Sequence, residues 1–594
     1  MPRMRIVDDE VLEKPFNKKQ FIRLLGYLKP HKKPMIISIL LMVVASVCSL
    51  AGPYLIKVAI DEVIGKNTTD GLIPLVIAMI VTSALTAVCT RYRVRLMETA
   101  GRTAIATMRQ DLFDHIQTLS FSFFDNRPAG KIMVRVINDV NSLNDLFTNG
   151  IVNILIDCFT LIIILGIMLF TDVSLTLVAM STLPLLILIV FVLKRKMRLR
   201  WQVTRRKISN MNGYLHESLA GMRVTQAFVR EDENAEIFRE TNEDIRRSWM
   251  SAIRLNLLFW PGIDFVGTVG TALVYLVGVS MMGGGALSVG TLLAITWYLG
   301  RFWDPMNNLS NFYNQVLVAM ASVERIFEIM DTPADIENKP EAYELPPIEG
   351  RVDFEHVTFG YEPGVNVLED VNIHVEPGQT IALVGPTGAG KSTVVNLISR
   401  FYDVIGGAVR VDGHDVRDVT LDSLRSQMGI MMQDSFIFSG TILENIRYSR
   451  PDATREEVIE AAKAVHVHDF IMNMEKGYDT EVNERGSRLS IGQKQLISFA
   501  RALLADPRIL ILDEATSSID THTEILIQQA LERLLKGRTS FIIAHRLSTI
   551  RKADCIMVVR DGNIAERGTH EELIEQKGHY YELCQAQYRF LQAN

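Results

Sequence analysis

The sequence predicts a membrane protein of two unlike parts, an N-terminal domain of six transmembrane helices with long cytoplasmic helical extensions and a C-terminal α/β domain. Its 594 residues are too many for a single hydrophobic core. Long apolar runs are confined to the first half, although 22% of the whole chain is charged. In the second half, short β-rich runs alternate with helical patterns, which is typical of an α/β domain.

Six stretches before residue 330 are long and apolar enough to cross a bilayer, which requires about 20 residues per helix. They cover roughly 35–57, 71–92, 147–170, 173–194, 255–282 and 287–307, and Asp157 interrupts the third. The stretches predict a transmembrane domain over 1–330. An acidic, proline-containing linker over 331–349 and the α/β domain over 350–594 follow.

The loops on the two sides of the predicted membrane differ in length and charge. The connections from span two to three and from span four to five are each about 50–60 residues, far longer than ordinary connections. Their membrane edges are basic, with Arg91, Arg93, Arg95, Lys194, Arg195, Lys196, Arg198 and Arg200. Because Lys and Arg mark the cytoplasmic side, both termini, the long loops and the α/β domain are expected in the cytoplasm. The N-terminus lacks a cleavable signal pattern, so we expect insertion through the membrane helices themselves.

The long loops are predicted to be helical because apolar residues recur in them every three or four positions. The two series are Met108, Leu112, Ile116 and Leu119, and Met211, Leu215, Leu219 and Met222. Helices that continue for about 25 residues would reach about 38 Å beyond the bilayer. Their tips could then contact a cytoplasmic domain, or the helices could only pack on each other.

Composition excludes several classes of function. A net charge of −6 gives no indication of nucleic-acid binding. The 5 cysteines have no metal-ligand spacing, and their odd number implies no disulfide framework.

A glycine-rich segment fits the phosphate-binding pattern G-x-x-x-x-G-K-[ST]. It consists of Gly385, Pro386, Thr387, Gly388, Ala389, Gly390, Lys391, Ser392 and Thr393. A predicted strand precedes it and a predicted helix follows it, so backbone N–H groups and the helix N-terminus can surround nucleotide phosphates. Lys391 would place a positive charge on the outer phosphates, and the Ser392 hydroxyl would bind Mg²⁺.

A second acidic motif ends an apolar strand at residues 509–512. Asp513 would hold Mg²⁺, directly or through water. Glu514 is placed to orient and deprotonate an attacking water molecule. Together with the phosphate loop, the pair predicts hydrolysis of a nucleoside triphosphate.

A third motif, Leu489-Ser490-Ile491-Gly492-Gln493, resembles the signature LSGGQ of ATP-binding cassette (ABC) exporters. With it, nearly the whole chain resembles a half-transporter of that family, in which membrane and nucleotide domains are fused. The resemblance implies that Ser490, Gly492 and Gln493 belong to the nucleotide site, the serine hydroxyl and glycine N–H contacting the γ-phosphate held by a second subunit. It therefore implies ATP and Mg²⁺ as ligands and a dimer as the working unit.

The resemblance also implies roles for other residues of the chain. Tyr361 matches the aromatic residue that stacks on adenine, Gln433 the glutamine that joins the Mg²⁺ site to the membrane domain, and His545 a contact to the γ-phosphate. Thr480–Gly486 resembles the loop that meets the cytoplasmic helices, and Ser518–Asp520 the loop that crosses to the opposite site. Phe123-Phe124-Asp125 resembles the first coupling segment and Glu217–Phe228 the second.

One residue departs from the signature, because Ile491 replaces a glycine. In heterodimeric members of the family, the half that keeps the catalytic glutamate often carries the altered signature. Ser490, Gly492 and Gln493 are nevertheless retained, so a homodimer and a heterodimer both remain open.

The function implied by the resemblance is ATP-driven export of lipophilic drugs or lipids across the cytoplasmic membrane by alternating access. The partners expected are a second half-transporter, membrane lipid and a small lipophilic substrate. Candidate cavity residues are Asp157, Trp260, Asp264, Met281, Met282, Trp297, Tyr298, Arg301, Phe302, Trp303 and Asp304. Any of them could instead be structural, and Arg301 could pair with Asp304 at i, i+3. The alternatives are an importer of a metal chelate and an ATP-gated channel.

Overall fold

The structure is a computed structural model that describes residues 17–66, 71–283, 287–432, 435–483, 486, 488–513, 521–544 and 547–593. The predicted site residues Gln433, Glu514 and His545 lie outside the described residues, as does the loop 518–520. The chain divides into two compact units. The first contains the residues up to Gln117 together with Ala129–Thr332, and the second contains Thr118–Pro128 together with the residues from Pro333 onward.

Long helices dominate the first unit. In chain order, and including one helix of the second unit (α4), they are α1 (Lys18–Gly26), α2 (Lys32–Val58), α3 (Leu72–Thr118), α4 (Phe121–Asn126), α5 (Ala129–Val134), α6 (Val140–Ser142), α7 (Ile151–Thr171), α8 (Val173–Met180), α9 (Leu183–Ala220), α10 (Met222–Ala227), α11 (Glu231–Gly283) and α12 (Val289–Met330). A short 3₁₀-helix, Lys29–His31, leads into α2. Wider π-helical turns occupy Ala59–Ile64, Arg135–Asp139 and Leu146–Gly150.

The predicted spans lie in these helices. Among the described residues, five helical segments are long and apolar enough to cross a membrane: Lys29–Ile64, Leu72–Thr118, Ala129–Thr171, Val173–Ala220 and Glu231–Gly283. The sixth predicted span, 287–307, forms the first part of α12, where Arg301 and Asp304 interrupt the apolar run. Prolines inside α2, α11 and α12 (Pro53, Pro261 and Pro305) are of the kind that membrane helices tolerate.

The helices continue well beyond a bilayer, as the periodicity predicts. The 47 residues of α3 span about 70 Å at 1.5 Å per residue, roughly twice the thickness of the hydrocarbon core. Met108, Leu112 and Ile116 are buried in this extension. The core of the membrane part is apolar and includes Leu50, Ile164, Met168, Val274, Ile295 and Leu299.

The second unit is built around a six-stranded sheet in the order β12-β11-β3-β10-β9-β6. Its strands are parallel except for β12, which pairs antiparallel with β11. A four-stranded antiparallel sheet has the order β2-β1-β4-β5, and β7 pairs with β8. The strands are β1 (Val352–Phe359), β2 (Leu368–Val375), β3 (Thr380–Val384), β4 (Gly406–Val411), β5 (His414–Asp415), β6 (Met428–Met431), β7 (Gly440–Thr441), β8 (Glu481–Val482), β9 (Ile509–Asp513), β10 (Thr539–Ile543), β11 (Cys555–Arg560) and β12 (Asn563–Gly568).

Helices accompany the large sheet, and the topology fixes where the nucleotide motifs meet. The helices are α13 (Lys391–Ile398), α14 (Leu421–Arg425), α15 (Ile442–Arg447), α16 (Arg455–Ala464), α17 (His468–Met472), α18 (Ile491–Ala505), α19 (Thr521–Leu535), α20 (Leu547–Ile550), α21 (His570–Gln576) and α22 (His579–Ala593). β3 and β9 are buried apolar strands on either side of β10. Since all three strands run parallel, the loop after Val384 and Asp513 lie at the same edge of the sheet, where α/β proteins bind ligands.

Candidate nucleotide-binding site

The phosphate loop begins where β3 ends, at Val384, and leads into α13 at Lys391. Gly385, Gly388 and Gly390 have φ angles of 143°, 84° and 106°, a region that side chains rarely adopt. A Cβ atom on Gly385 would lie 2.1 Å from the carbonyl oxygen of Val559. The glycines of the motif are therefore required by the backbone path of the loop.

Lys391 bridges the loop in this structure. Its side chain is buried, and Nζ donates hydrogen bonds of 2.8 Å to the carbonyl oxygens of Gly385 and Pro386. Burial lowers the pKa of this amine, and the negative charge of Asp513 opposes that effect. The cation is thus held inside the concave loop, with the carboxylate of the acidic motif nearby.

The predicted ligands of Mg²⁺ fit the requirements of that ion, which prefers oxygen ligands together with substrate phosphates. Ser392 opens α13 and is exposed, and Asp513 is the half-buried last residue of β9. Their hydroxyl and carboxylate groups, beside a glycine-lined loop and a lysine, suit a nucleoside triphosphate with a divalent cation. Gln433, the third predicted ligand, lies outside the described residues.

Tyr361 lies against the helix that follows the phosphate loop. Its hydroxyl is 3.1 Å from Thr393 Oγ1, and its ring makes edge contacts with Phe359 and Tyr402 at centroid distances of 5.0 and 5.1 Å. The side chain remains 48% exposed. The neighbours fix the ring while leaving surface available for a base to stack on it.

The segment that contains Asp125 belongs to this unit by its contacts, although it connects two long helices of the other unit. Phe121 stacks on Phe401 with ring centroids 5.1 Å apart. The Tyr402 hydroxyl donates a 2.7 Å hydrogen bond to Asp125 Oδ2. Burial and the hydrogen bond to Asp125 raise the pKa of Tyr402.

Tyr402 is a residue that the sequence interpretation missed. It contacts both Tyr361 and Asp125, so it joins the predicted adenine site to the first coupling segment. The only signal in the sequence is an aromatic pair, Phe401-Tyr402, soon after the helix of the phosphate loop.

The signature motif forms the start of α18. Ser490 is the N-cap, its hydroxyl accepts a hydrogen bond from the Gln493 N–H, and Gln493 Oε1 accepts one from the Ser490 N–H. This capping box orients the first turn. Gly492 is buried, whereas Ile491 is 57% exposed. The isoleucine that replaces the family glycine therefore fills no space in the core of this chain.

The candidate cavity residues of the membrane unit separate into two groups. Tyr298 and Arg301 connect α12 to α2, because the Tyr298 hydroxyl donates to the Leu50 carbonyl (2.8 Å) and Arg301 Nη1 to the Ser49 carbonyl (2.6 Å). Asp157 is buried and accepts a hydrogen bond from Asn308. Phe302 is buried, and Met281, Met282 and Trp303 are half-buried in the same apolar core. Trp260, Asp264, Trp297 and Asp304 are exposed on the single chain.

Two family models match the chain in the order in which the two motif regions occur. The ABC transporter transmembrane region matches residues 35–306, and the ABC transporter model matches residues 368–517. A solved structure described as a bacterial Atm1-family ABC exporter with ATP bound superposes with a TM-score of 0.77 at 28% identity. It covers 94% of this chain and 98% of that one.

Full-length relatives show the same organisation. The uncharacterised ABC transporter ATP-binding protein YknV of Bacillus subtilis is 46% identical over 99% of this chain and 98% of its own length. A Staphylococcus aureus ATP-binding/permease protein named for multidrug export is 40% identical over 95% of this chain and 99% of its own. An ATP-dependent lipid A-core flippase of Syntrophus aciditrophicus is 37% identical over 96% and 94%. The chain therefore belongs to the ABC transporter family, as a multi-pass membrane protein whose own ATP-binding domain couples ATP hydrolysis to transport.

Proposed function

We propose that this chain is one half of a dimeric exporter that moves lipophilic substrates, drugs or lipids, outward across the cytoplasmic membrane by alternating access. The observation that carries the proposal is the position of α4. This helix connects two long helices of the membrane unit, yet it packs within the ATP-binding unit. Any change in that unit on nucleotide binding is therefore applied directly to the ends of membrane helices.

The nucleotide site supports a division of labour among its residues. Lys391 and the backbone N–H groups of the loop bind the phosphates, and the exposed ring of Tyr361 stacks on adenine. Mg²⁺, held by Ser392, Asp513 and Gln433, neutralises phosphate charge when bound. Glu514 orients and deprotonates the attacking water, and His545 contacts the γ-phosphate.

A dimer is supported by the single cassette and by an apolar surface that this chain leaves uncovered. Leu219, Val224, Phe228 and Val229 lie in or next to the second coupling segment and are 61–81% exposed. Val229 also has a φ angle of 54°, which is costly for a β-branched residue. A cluster of this kind marks an interaction site, and we assign it to the nucleotide-binding domain of the other half. Ser490 and Gly492 then complete the ATP site held by the partner's phosphate loop.

The substrate class is supported by the relatives and by the membrane unit. The names of two relatives refer to lipid A-core and to multidrug export. Trp260 and Trp297 present large apolar surfaces on helices α11 and α12 of the single chain. Apolar and aromatic surfaces of this kind suit lipophilic ligands.

The direct test is Mg-ATPase activity of the full chain, purified alone in lipid nanodiscs, with Glu514→Gln as the matched control. We expect Glu514→Gln to bind ATP normally and to release no phosphate. Undiminished phosphate release from that variant would contradict the assigned role of Glu514. Activity of the wild-type chain alone would establish a homodimer that is competent at both sites. Well-folded wild-type protein no more active than the control would instead require a second half-transporter with an intact signature.

A further inference from the structure

A cavity of about 350 Å³ lies between the N-terminal end of α2 and the middle of α3. Its volume falls within the range of small-molecule binding sites. The lining residues all belong to the membrane unit, and they are His31, Pro34, Tyr92, Arg95, Leu96, Thr99, Ala100 and Thr103. His31 and Pro34 stand where the first span begins, and Tyr92 where the second predicted span ends. The cavity is therefore at the level of the membrane surface, on the side assigned to the cytoplasm.

The charge of the cavity is positive. Arg95 is exposed, and within the described part of the chain its guanidinium has no hydrogen-bond or ion-pair partner. No acidic residue lines the cavity, and Glu98, one turn further along α3, is already paired with Arg102 at 2.6 Å. Nearby positions in the sequence add Lys29, Lys32, Lys33, Arg91 and Arg93. The complementary ligand is an anion.

An apolar surface leads away from the cavity along both membrane helices. On α3, Val88, Leu85 and Val81 precede Tyr92 by four, seven and eleven positions, so they lie on the same face. All three are exposed, as is Ile37, which follows Pro34 by three positions on α2. A ligand with its anionic group at Arg95 could therefore extend apolar chains along these faces. Such a ligand is amphiphilic.

We propose that this cavity binds the phosphate headgroup of an anionic phospholipid from the cytoplasmic leaflet. Arg95 is the principal cation, and the Tyr92 hydroxyl, at the interfacial position typical of tyrosine, is an additional donor. Basic pockets between membrane helices on the cytoplasmic side bind anionic lipid headgroups in this way. The proposal takes from the proposed function only the orientation of the chain, and it holds whichever substrate is exported.

Binding can be measured on the full chain by native mass spectrometry, with dioleoylphosphatidylglycerol and dioleoylphosphatidylcholine added at equal concentrations to delipidated protein. The variants are Arg95→Gln and Arg95→Glu. Arg91→Glu is the matched control, because it makes the same charge change on the same helix outside the cavity. We expect the wild type and Arg91→Glu to retain phosphatidylglycerol preferentially. We expect Arg95→Glu to lower its apparent affinity by at least about tenfold, and Arg95→Gln to lower it by less.

Two further arms identify the ligand. Inorganic phosphate at millimolar concentration should leave phosphatidylglycerol bound, since the apolar chains supply much of the affinity. Displacement by phosphate would show a free-anion site and overturn the proposal. Equal lipid retention by the wild type and Arg95→Glu would also overturn it, and loss of the dimer in Arg95→Glu would then assign the cavity to the partner chain. Thermal unfolding of each variant separates misfolding from loss of the site. Because no ATP is present, a negative result here leaves the export hypothesis untouched, and a failure of transport leaves this site untouched.

Discussion

Tyr361 combines two contacts that substitutions can separate. Its hydroxyl lies 3.1 Å from Thr393 Oγ1, and its exposed ring is the surface assigned to adenine. Removing the ring by Tyr361→Ala should raise the KM for ATP more than it lowers kcat. Tyr361→Phe keeps the ring and should leave KM within about twofold, since a single neutral hydrogen bond contributes little net free energy. Steady-state ATPase kinetics in nanodiscs measure both variants. An unchanged KM for Tyr361→Ala would remove the adenine role.

Ser490 is both a helix cap and a proposed contact to the partner's γ-phosphate. The chain offers a matched control, because Thr569 caps α21 through an equivalent capping box with Glu572. Ser490→Ala and Thr569→Ala should each cost about 1 kcal/mol of stability through the lost cap. Only Ser490→Ala should also lower ATP turnover by more than tenfold, because it alone removes a γ-phosphate contact. Equal activities at equal loss of stability would limit Ser490 to capping.

Residue-level prediction from the sequence succeeded where the chemistry is local. The path of the phosphate loop follows from glycines and Lys391 within nine consecutive residues. Tyr402 was missed because its partner Asp125 is 277 positions away, and no local pattern joins them. The role of Ile491 also needed the structure, which places its side chain outside the core.

At the scale of elements, the contact between α4 and the ATP-binding unit depends on Tyr402. Tyr402→Phe and Asp125→Asn weaken the same hydrogen bond while retaining the ring or the shape of the side chain. Each should leave basal ATPase activity within about twofold and reduce its stimulation by substrate, since one hydrogen bond contributes about 1 kcal/mol. Tyr343→Phe is the control, because the Tyr343 hydroxyl is 2.7 Å from His414 in the same unit, away from α4. Full stimulation in Tyr402→Phe would show that this hydrogen bond carries no coupling.

A buried ion cluster connects the π-helical turn at Arg135–Asp139 to the end of α12. Arg325 donates two hydrogen bonds to the Asp139 carboxylate, of 2.6 and 3.0 Å, and Arg135 and Ser322 donate one each. Asp139→Ala should destabilise the protein by about 2–4 kcal/mol, because it leaves buried donors without an acceptor. Asp244→Ala breaks the exposed pair with Lys207 and should cost less than about 1 kcal/mol. Thermal unfolding in detergent compares the two, and equal effects would contradict the structural role of the cluster.

Element existence was predictable from hydropathy, but element ends were not. The apolar signal stops at the membrane surface, whereas helical hydrogen bonds continue, so α3 and α11 extend far beyond their predicted spans. The π-helical turn at the end of the first span was also unforeseen. There Asp61 accepts hydrogen bonds from the Gly290 N–H and the Ser288 hydroxyl, a contact between residues 227–229 positions apart.

For the whole molecule, the account requires a second half. The described chain leaves the apolar cluster at Leu219, Val224, Phe228 and Val229 uncovered, and it contains one signature motif and one phosphate loop. Sequence order alone predicted this requirement through the family resemblance. The sequence does not decide between two identical halves and two different ones, because the composition of the dimer is a property of an assembly.

Transport into sealed membrane vesicles tests the central claim most directly. A fluorescent lipophilic dye would be followed in inverted and right-side-out vesicles that contain the chain, with Glu514→Gln vesicles as the control. Because ATP must reach the cytoplasmic domains, it is supplied outside inverted vesicles and inside right-side-out ones. The account predicts ATP-dependent accumulation in inverted vesicles that is absent from the control. ATP-dependent accumulation in right-side-out vesicles would contradict export and would favour an importer.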